Sequence, residues 1–264
     1  MRDTHKTLFI LLIVMGLFLV FPLDNCSSKI NIVGSTSVQP ICEELAGEYK
    51  KTHKNLDINV QAGGSSLGIK CANSSLADIG MSSKDINESD LSEHVLGIEG
   101  IAIVINSKNP VNELSSSQIS GIFSGNISDW SEVSQGSGKI NVIVREEGSG
   151  TLDAFKEKIM GDLQISDGAI VQNSAGAVKQ AVIQDENAIG FVSLSHLDET
   201  IKDIAIDGVE ASEKSILDGS YKLQRPFILL TNNTPDSETL EFVEWCLSNE
   251  STQIFKKEKI IKID

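Results

Sequence analysis

The order of apolar and polar positions predicts strands and helices that alternate along most of the chain. Residues 29–33 form a short apolar run, and the polar turn GSTSVQP at 34–40 separates it from an amphipathic helical pattern at 41–51. Strand, polar turn and helix follow in the same order between residues 56 and 75. Alternation of this kind predicts an α/β protein with mixed, mostly parallel sheets and helices on both faces.

Two longer apolar runs, GIAIVIN at 100–106 and YKLQRPFILLT at 221–231, are typical of strands that are buried on both faces. They bracket a middle segment with its own helices and strands, so we expect a protein of two lobes joined by two crossover strands. The expected division places residues 29–106 and 223–264 in the first lobe and residues 107–222 in the second.

The first 28 residues differ from the rest of the chain. Arg2 and Lys6 precede an almost unbroken apolar run from Leu8 to Leu23, a pattern that predicts an export signal or an N-terminal anchor. A buried helix of a cytosolic fold is the alternative. Cys26 invites a lipid anchor, but the three residues before it are not the small residues that usually precede a lipidated cysteine. We therefore expect an exported protein, periplasmic or at the cell surface.

Composition and charge narrow the functional classes. A chain of 264 residues that is 40% hydrophobic can bury a large core. Its formal net charge of −15 argues against nucleic acid or an acidic membrane surface as partner, because both attract basic patches. An anionic ligand would have to be held by local geometry instead.

The cysteines do not indicate a metal site. Cys42, Cys71 and Cys246 show neither a CxxC motif nor the Cys/His spacing of structural zinc, so we expect no metal and no cofactor. A bridge between Cys42 and Cys71 and free buried thiols both remain open.

Three polar turns share one chemistry. The sequences GSTS at 34–37, GGSS at 63–66 and GSGT at 148–151 each precede a predicted helix. The start of a helix exposes unpaired N–H groups, glycine lets the backbone approach a ligand, and Ser and Thr hydroxyls add donors. Each turn by itself is explained by ordinary helix capping. The three together favour a common oxyanion site.

Arg145 lies three residues before the last of these turns, in the stretch REEGSGTLDAF. A guanidinium offers a planar fork of donors that matches two oxygens of a tetrahedral anion. Glu146 or Glu147 can hold that fork by a salt bridge. The alternative is a surface arginine paired with its neighbouring glutamates.

One motif suggests a hydrolase instead. Residues 64–68, GSSLG, match G-x-S-x-G between a predicted strand and a predicted helix, the context of a nucleophile elbow with Ser66 as the nucleophile. A catalytic triad would then need His94 or His196, the histidines that follow. The pattern is short, and a sequence rich in Gly and Ser generates it easily.

Taken in order, these turns and several further motifs resemble the phosphate-binding proteins that serve ABC transporters in phosphate uptake. The resemblance runs from about residue 30 to the C-terminus and rests most on RxxGSGT at 145–151 and on the IFSGNISDWSEV stretch around Trp130. It implies a two-lobed, type II periplasmic-binding fold that closes over inorganic phosphate. It also implies a monomer without enzymatic activity that delivers phosphate to the membrane permease of an ABC importer.

The resemblance also implies site residues. Those expected to donate to phosphate oxygens are Thr36, Ser37 through its amide, Ser65, Arg145, Ser149, Gly150 and Thr151. Glu147 occupies the place of an acid that orients the arginine.

Ser83 marks a departure from the family pattern. Family members carry an aspartate at this place, after the serine of the ADxGxS stretch, which accepts the proton of hydrogen phosphate and repels sulfate. We expect Ser83 to contact the ligand through its hydroxyl, but phosphate selectivity does not follow. Sulfate or a molybdate-like anion is therefore the alternative ligand, and an adhesion or signalling protein that has kept the fold is a further alternative.

Overall fold

The structure is a computed structural model that describes residues 28–86 and 90–263. The expected export signal or anchor, apart from Ser28, lies outside the described residues. In the part that is described, no helix combines the length and the hydropathy needed to cross a bilayer.

The strands of the described chain are β1 (Ser28–Gly34), β2 (Leu56–Ala62), β3 (Ile79–Ser82), β4 (Leu91–Asn106), β5 (Glu113–Leu114), β6 (Asn141–Arg145), β7 (Ile170–Gln172), β8 (Ala188–Ser193), β9 (Ile201–Asp203), β10 (Ala205–Ile206), β11 (Gln224–Asn232) and β12 (Ile261–Lys262). Its α-helices are α1 (Gln39–Tyr49), α2 (Ser65–Asn73), α3 (Ser116–Ser124), α4 (Gly150–Phe155), α5 (Ala175–Gln184), α6 (Glu213–Leu217), α7 (Ser237–Leu247) and α8 (Thr252–Lys257). After α4 the chain continues in π-helical geometry at Lys156–Met160.

The main sheet is mixed, with strand order β2-β1-β3-β11-β4-β8-β6-β7. Its outer strands pair in parallel, β1 with β2 and β3 on one side and β6 with β7 and β8 on the other. At the centre, β4 and β11 are antiparallel to each other and to their outer neighbours β8 and β3. The strands that contain the two long apolar runs, β4 and β11, therefore lie side by side at the middle of the sheet, although the run at 101–105 pairs with β8.

Strand β4 begins nine residues before the expected start and pairs with different partners along its length. Residues 91–100 pair with β11, and residues 101–105 pair with β8. The pairing with β11 contains a register shift between Phe227 and Ile228. Because β4 changes partner near Gly100, it links the two sides of the sheet.

Two large hydrophobic cores lie on either side of this link. The terminal core is built from residues between 30 and 96 and between 227 and 260, with Tyr49 and Phe242 in edge-to-face contact. The middle core is built from residues between 101 and 223, with Phe155 and Phe191 stacked at 4.4 Å between ring centroids. We call the parts around these cores the terminal lobe and the middle lobe.

The cysteines of the described chain are free. Cys42 and Cys246 are buried in the terminal core, and Cys71 is partly buried on α2. Burial raises the pKa of the Cys42 thiol well above its ordinary value, which keeps it protonated and unreactive. The Cys42–Cys71 bridge that the sequence left open is not formed.

Candidate functional site

The three polar turns follow β1, β2 and β6, at the carboxyl ends of strands that pair in parallel. Ligand sites of open α/β sheets usually lie at this edge. Ser65 is the first residue of α2, and Ser149 is the N-cap of α4, where its Oγ accepts a hydrogen bond from Leu152 N. Strand β6 runs opposite to β1 and β2, so the carboxyl ends of the strands in the two lobes point toward each other. The three turns therefore meet where the lobes face each other.

Five buried hydroxyl groups from these turns and from the end of β3 come together between the lobes, and we call them the hydroxyl cluster. Its members are Ser35, Ser37, Ser65, Ser83 and Thr151. The Ser83 Oγ lies 3.0 Å from the Ser35 Oγ and 3.1 Å from the Ser65 Oγ. Sequence reasoning placed Ser35 in the first turn but did not assign it to the site.

The cluster spans the two lobes. The Ser37 Oγ, in the terminal lobe, lies 3.1 Å from the Thr151 Oγ1, in the middle lobe. Thr36 takes a different partner, because its Oγ1 accepts a hydrogen bond from the Ala175 amide at the start of α5. The residues expected to share one ligand thus lie where the lobes face each other.

Gly150 lies against the cluster with its backbone. A Cβ atom at this position would come within 2.5 Å of the Ser83 Oγ and 2.7 Å of the Ser65 Oγ, closer than any side chain tolerates. Glycine is therefore required for the start of α4 to approach these hydroxyls.

Arg145 is buried at the end of β6 and is held by its neighbour Glu146. Its Nε donates to Glu146 Oε2 and its Nη2 donates to Glu146 Oε1, each at 2.8 Å. Glu147, the residue expected to orient the arginine, instead forms an ion pair with Lys156 and has an 81% exposed side chain. The expected role of Glu147 is corrected to Glu146, because the chain leaves the strand after Arg145 and turns Glu147 toward solvent.

Sequence reasoning missed a second buried arginine. Arg225, at the start of β11, donates from Nη1 to the Ser83 Oγ at 3.1 Å and also to the Thr151 Oγ1. Directly opposite in the strand pairing lies Glu99, which is fully buried. The sequence did contain a sign of this residue, because Arg225 interrupts an otherwise apolar strand. A buried charge is costly unless it is paired or binds a ligand.

The hydrogen bonds within the cluster have a common direction. Backbone amides donate to two of its hydroxyls, Ser37 N to Ser35 Oγ and Ser83 N to Ser65 Oγ, and Arg225 donates to two more. A hydroxyl has one proton and two lone pairs, so each of these four groups has a lone pair occupied and keeps its proton for a neighbouring hydroxyl or for a ligand. The cluster is therefore biased toward donating hydrogen bonds, which suits the oxygens of an anion.

The catalytic alternative is not supported by the contacts of the residues it requires. The Ser66 Oγ accepts a hydrogen bond from Lys84, whereas His94 contacts Thr231 and His196 contacts Ser195. Gly68, the last residue of the motif, has a packing role, because a Cβ there would lie 2.5 Å from the Met81 carbonyl oxygen. In residues 28–86 and 90–263, no group of three or more His, Cys, Asp and Glu side chains is arranged to hold a metal ion.

The sequence also matches a known family model. Residues 24–250 match the model of the PBP superfamily domain, which is most of the chain. The chain belongs to the PBP superfamily. This membership agrees with the binding-protein fold that the sequence motifs imply.

Solved structures support the same assignment. A protein from Clostridium perfringens, described as a phosphate ABC transporter substrate-binding protein with bound phosphate, is 34% identical with a TM-score of 0.86, covering 90% of this chain and 100% of that one. An ABC-type phosphate transport receptor from Vibrio cholerae is 32% identical with a TM-score of 0.73, covering 89% and 100%. The expected two-lobed type II fold is thereby confirmed.

A curated relative agrees with the structures. The phosphate-binding protein PstS of Bacillus subtilis (strain 168) is 28% identical over 207 residues, which cover 76% of this chain and 69% of the relative. The proteins that this chain resembles are thus substrate-binding proteins.

Proposed function

We propose that this chain is the extracytoplasmic substrate-binding protein of an ABC importer and that it captures inorganic phosphate between its two lobes. The observation that carries the proposal is the hydroxyl cluster at the lobe junction, with Arg225 donating to two of its hydroxyls and Arg145 nearby. The names of the relatives from Clostridium perfringens, Vibrio cholerae and Bacillus subtilis support phosphate as the ligand.

The proposed ligand contacts are Thr36, Ser37, Ser65, Ser83, Arg145, Ser149, Gly150 and Thr151, with Ser35 and Arg225 added from the geometry. Neutral hydroxyl and amide donors bind an oxyanion without requiring a basic protein. This explains how a chain with a net charge of −15 can bind phosphate.

Closure of the lobes is the proposed mechanism. We place the lobe boundaries at residues 29–106 with 223–264 and at 107–222, with β4 and β11 as the hinge. Closing would remove the anion from water and strengthen each hydrogen bond to it. The closed monomer would then present a surface from both lobes to a membrane permease. No step of this mechanism needs a catalytic base or a cofactor.

A tetrahedral anion without a proton is a second candidate ligand. The cluster contains no carboxylate, and both oxygens of Glu146 are engaged by Arg145. A site without a strong acceptor has little means of repelling sulfate or molybdate.

Calorimetric titration of the purified protein with phosphate, sulfate and molybdate between about pH 5 and about pH 9 tests the proposal. We expect phosphate to give a binding heat with one site per chain, and Arg145→Ala to abolish it. The absence of phosphate binding at every pH would refute the proposed function. Tighter binding of sulfate or molybdate would assign the site to that anion instead.

A further inference from the structure

Arg225 lies beneath the hydroxyl cluster on the strand that joins the two lobes. Its side chain is buried, and Nη1 reaches Ser83 of the terminal lobe and Thr151 of the middle lobe. The guanidinium also lies over the ring of Phe227, 5.4 Å from its centroid. One side chain thus contacts hydroxyls from both sides of the site.

The charge of Arg225 is less completely balanced than that of Arg145. Arg145 makes two hydrogen bonds of 2.8 Å to one carboxylate. Between Arg225 Nη2 and Glu99 Oε2, by contrast, the distance is 3.5 Å, and neither atom has a hydrogen-bond partner among the described residues. The other oxygen of Glu99 is taken by the Ser193 hydroxyl and the Ser195 amide. A buried arginine nitrogen without a hydrogen bond is unusual and calls for a partner.

Arg225 also fixes the direction of two hydroxyls. A guanidinium can only donate, so Ser83 and Thr151 must accept from it. Each then has a proton and one lone pair left for its neighbours or a ligand. Within the cluster this leaves weak hydroxyl lone pairs, and no carboxylate, to accept a proton that the ligand carries.

We propose that Arg225 is a specificity-determining residue of the anion site and that it makes the site select doubly charged anions over singly charged ones. The inference rests on the proposed function, since it concerns the same site. Phosphate offers both charge states, because the monoanion and the dianion interconvert near neutral pH. The dianion is attracted more strongly than the monoanion by Arg225, whose charge is only partly balanced by Glu99. It also carries one proton fewer, so the site has to supply one hydrogen-bond acceptor fewer.

The charged and titratable groups that interact with Arg225 come from three places in the fold. They are Glu99 on β4, Arg145 on β6 and His196 after β8, and Lys179 on α5 acts on His196. Burial and the nearby cations lower the pKa of His196 to about 4, so this ring stays neutral above about pH 5.5. Burial raises the pKa of Glu99, which is opposed by Arg225. Sulfate keeps its double charge throughout this range, so sulfate binding reports any titration of the protein itself.

The experiment measures dissociation constants for phosphate and sulfate at about pH 5.5 and about pH 8.5. In the wild-type protein we expect phosphate to bind more than about tenfold tighter at the higher pH, after correction by the sulfate values. The double variant Arg225→Gln/Glu99→Gln removes both buried charges together. We expect it to bind both anions about ten- to one-hundredfold more weakly, because a charge-assisted interaction is lost, and to reduce the pH ratio for phosphate several-fold.

Arg225→Lys is the second variant, and it keeps the charge without the fork. We expect it to recover much of the wild-type pH ratio while binding more weakly than wild type. A wild-type protein that binds phosphate equally well at both pH values, or a double variant that keeps the wild-type ratio, would overturn the inference while leaving phosphate binding intact. Absence of phosphate binding by the wild-type protein would instead overturn the proposed function, and this inference with it. A thermal melt of each variant identifies loss of folding, in which case the Arg225→Lys ratio decides.

Discussion

Arg145 and Glu146 are consecutive in sequence, yet the guanidinium of the first pairs with both carboxylate oxygens of the second at 2.8 Å. The pair forms because Arg145 ends β6 and the Glu146 amide then donates to the Gln172 carbonyl, which holds the chain beside the strand. A bidentate pair of this kind fixes the plane of the guanidinium. The direction in which Arg145 can offer its remaining donors is therefore set by its nearest neighbour.

Replacing Glu146 by Gln should weaken phosphate binding roughly tenfold. Arg145 loses the carboxylate that fixes the plane of its guanidinium, so its orientation becomes less defined. The matched control is Glu147→Gln, which removes the same charge one residue away. Glu147 pairs with Lys156 on the surface, so the control should bind as the wild type does. Titration calorimetry of both variants checks the prediction, and equal losses would show that only the net charge matters.

Replacing Ser83 by Asp should increase the preference for phosphate over sulfate by about tenfold or more, equivalent to about 1.4 kcal/mol. The new carboxylate could accept the proton of hydrogen phosphate but would repel sulfate, which has no proton to give. Ser83→Ala is the control, because it removes a donor and should weaken both anions alike. Competition between the two anions measures the ratio, and an unchanged ratio in Ser83→Asp would contradict this account.

Lys84 and Asp153 form an ion pair of 2.7 Å between the lobes, with both side chains partly exposed. Lys84→Ala should speed phosphate release a few-fold, since a pair this accessible to solvent contributes at most about 1 kcal/mol. The effect should shrink at high salt, where such pairs are screened. Lys156→Ala breaks a comparable pair within the middle lobe and serves as the control. Stopped-flow dissociation rates are the measurement. Equal rates for the two variants would show that the Lys84–Asp153 pair does not hold the lobes closed.

His196 should make the protein less stable as the pH falls below its ordinary titration range. Its pKa is lowered from 6.5 to about 4 by burial and then by the charges of Arg225, Lys179 and Arg145. The unfolded chain therefore binds more protons between these values, so the stabilisation is complete above about pH 6.5 and is lost progressively down to about pH 4. The loss amounts to about 3 kcal/mol of unfolding free energy.

Urea denaturation of the wild-type protein and of His196→Asn at several pH values tests this. The variant should show a shallower loss of unfolding free energy between about pH 6.5 and about pH 4. If both proteins lose stability in parallel across that window, the carboxylates alone are responsible and His196 contributes nothing.

The sequence predicted the parts of the fold that depend on local pattern. The helical pattern at 41–51 corresponds to α1, which begins and ends two residues earlier, and the three polar turns precede helices as expected. The start of β4 was missed because residues 91–99 mix buried and exposed positions and contain Gly97, so no apolar run marks them. Local rules thus located the elements better than their ends.

The candidate site could likewise be predicted from the sequence only where it depends on local pattern. Gly/Ser turns are local features, and they pointed to the hydroxyls that come together. The pairing of Glu99 with Arg225 joins residues far apart in sequence through the register of two strands, which no local pattern encodes. The choice between Glu146 and Glu147 depended on how the chain leaves β6, which only the three-dimensional structure shows.

The antiparallel pairing of β4 and β11 also limits how the protein can move. Strand β4 passes from the terminal lobe to the middle lobe, and the chain returns to the terminal lobe at the start of β11. The Ile101 amide is hydrogen-bonded to the Leu223 carbonyl where these two connections lie side by side. A two-stranded ladder can bend, but twisting it would break these bonds in succession. Opening should therefore be a rotation of one lobe against the other about an axis at these two connections. The amides near Ile101 should resist hydrogen exchange even while the amides at the outer edges of the cleft exchange rapidly.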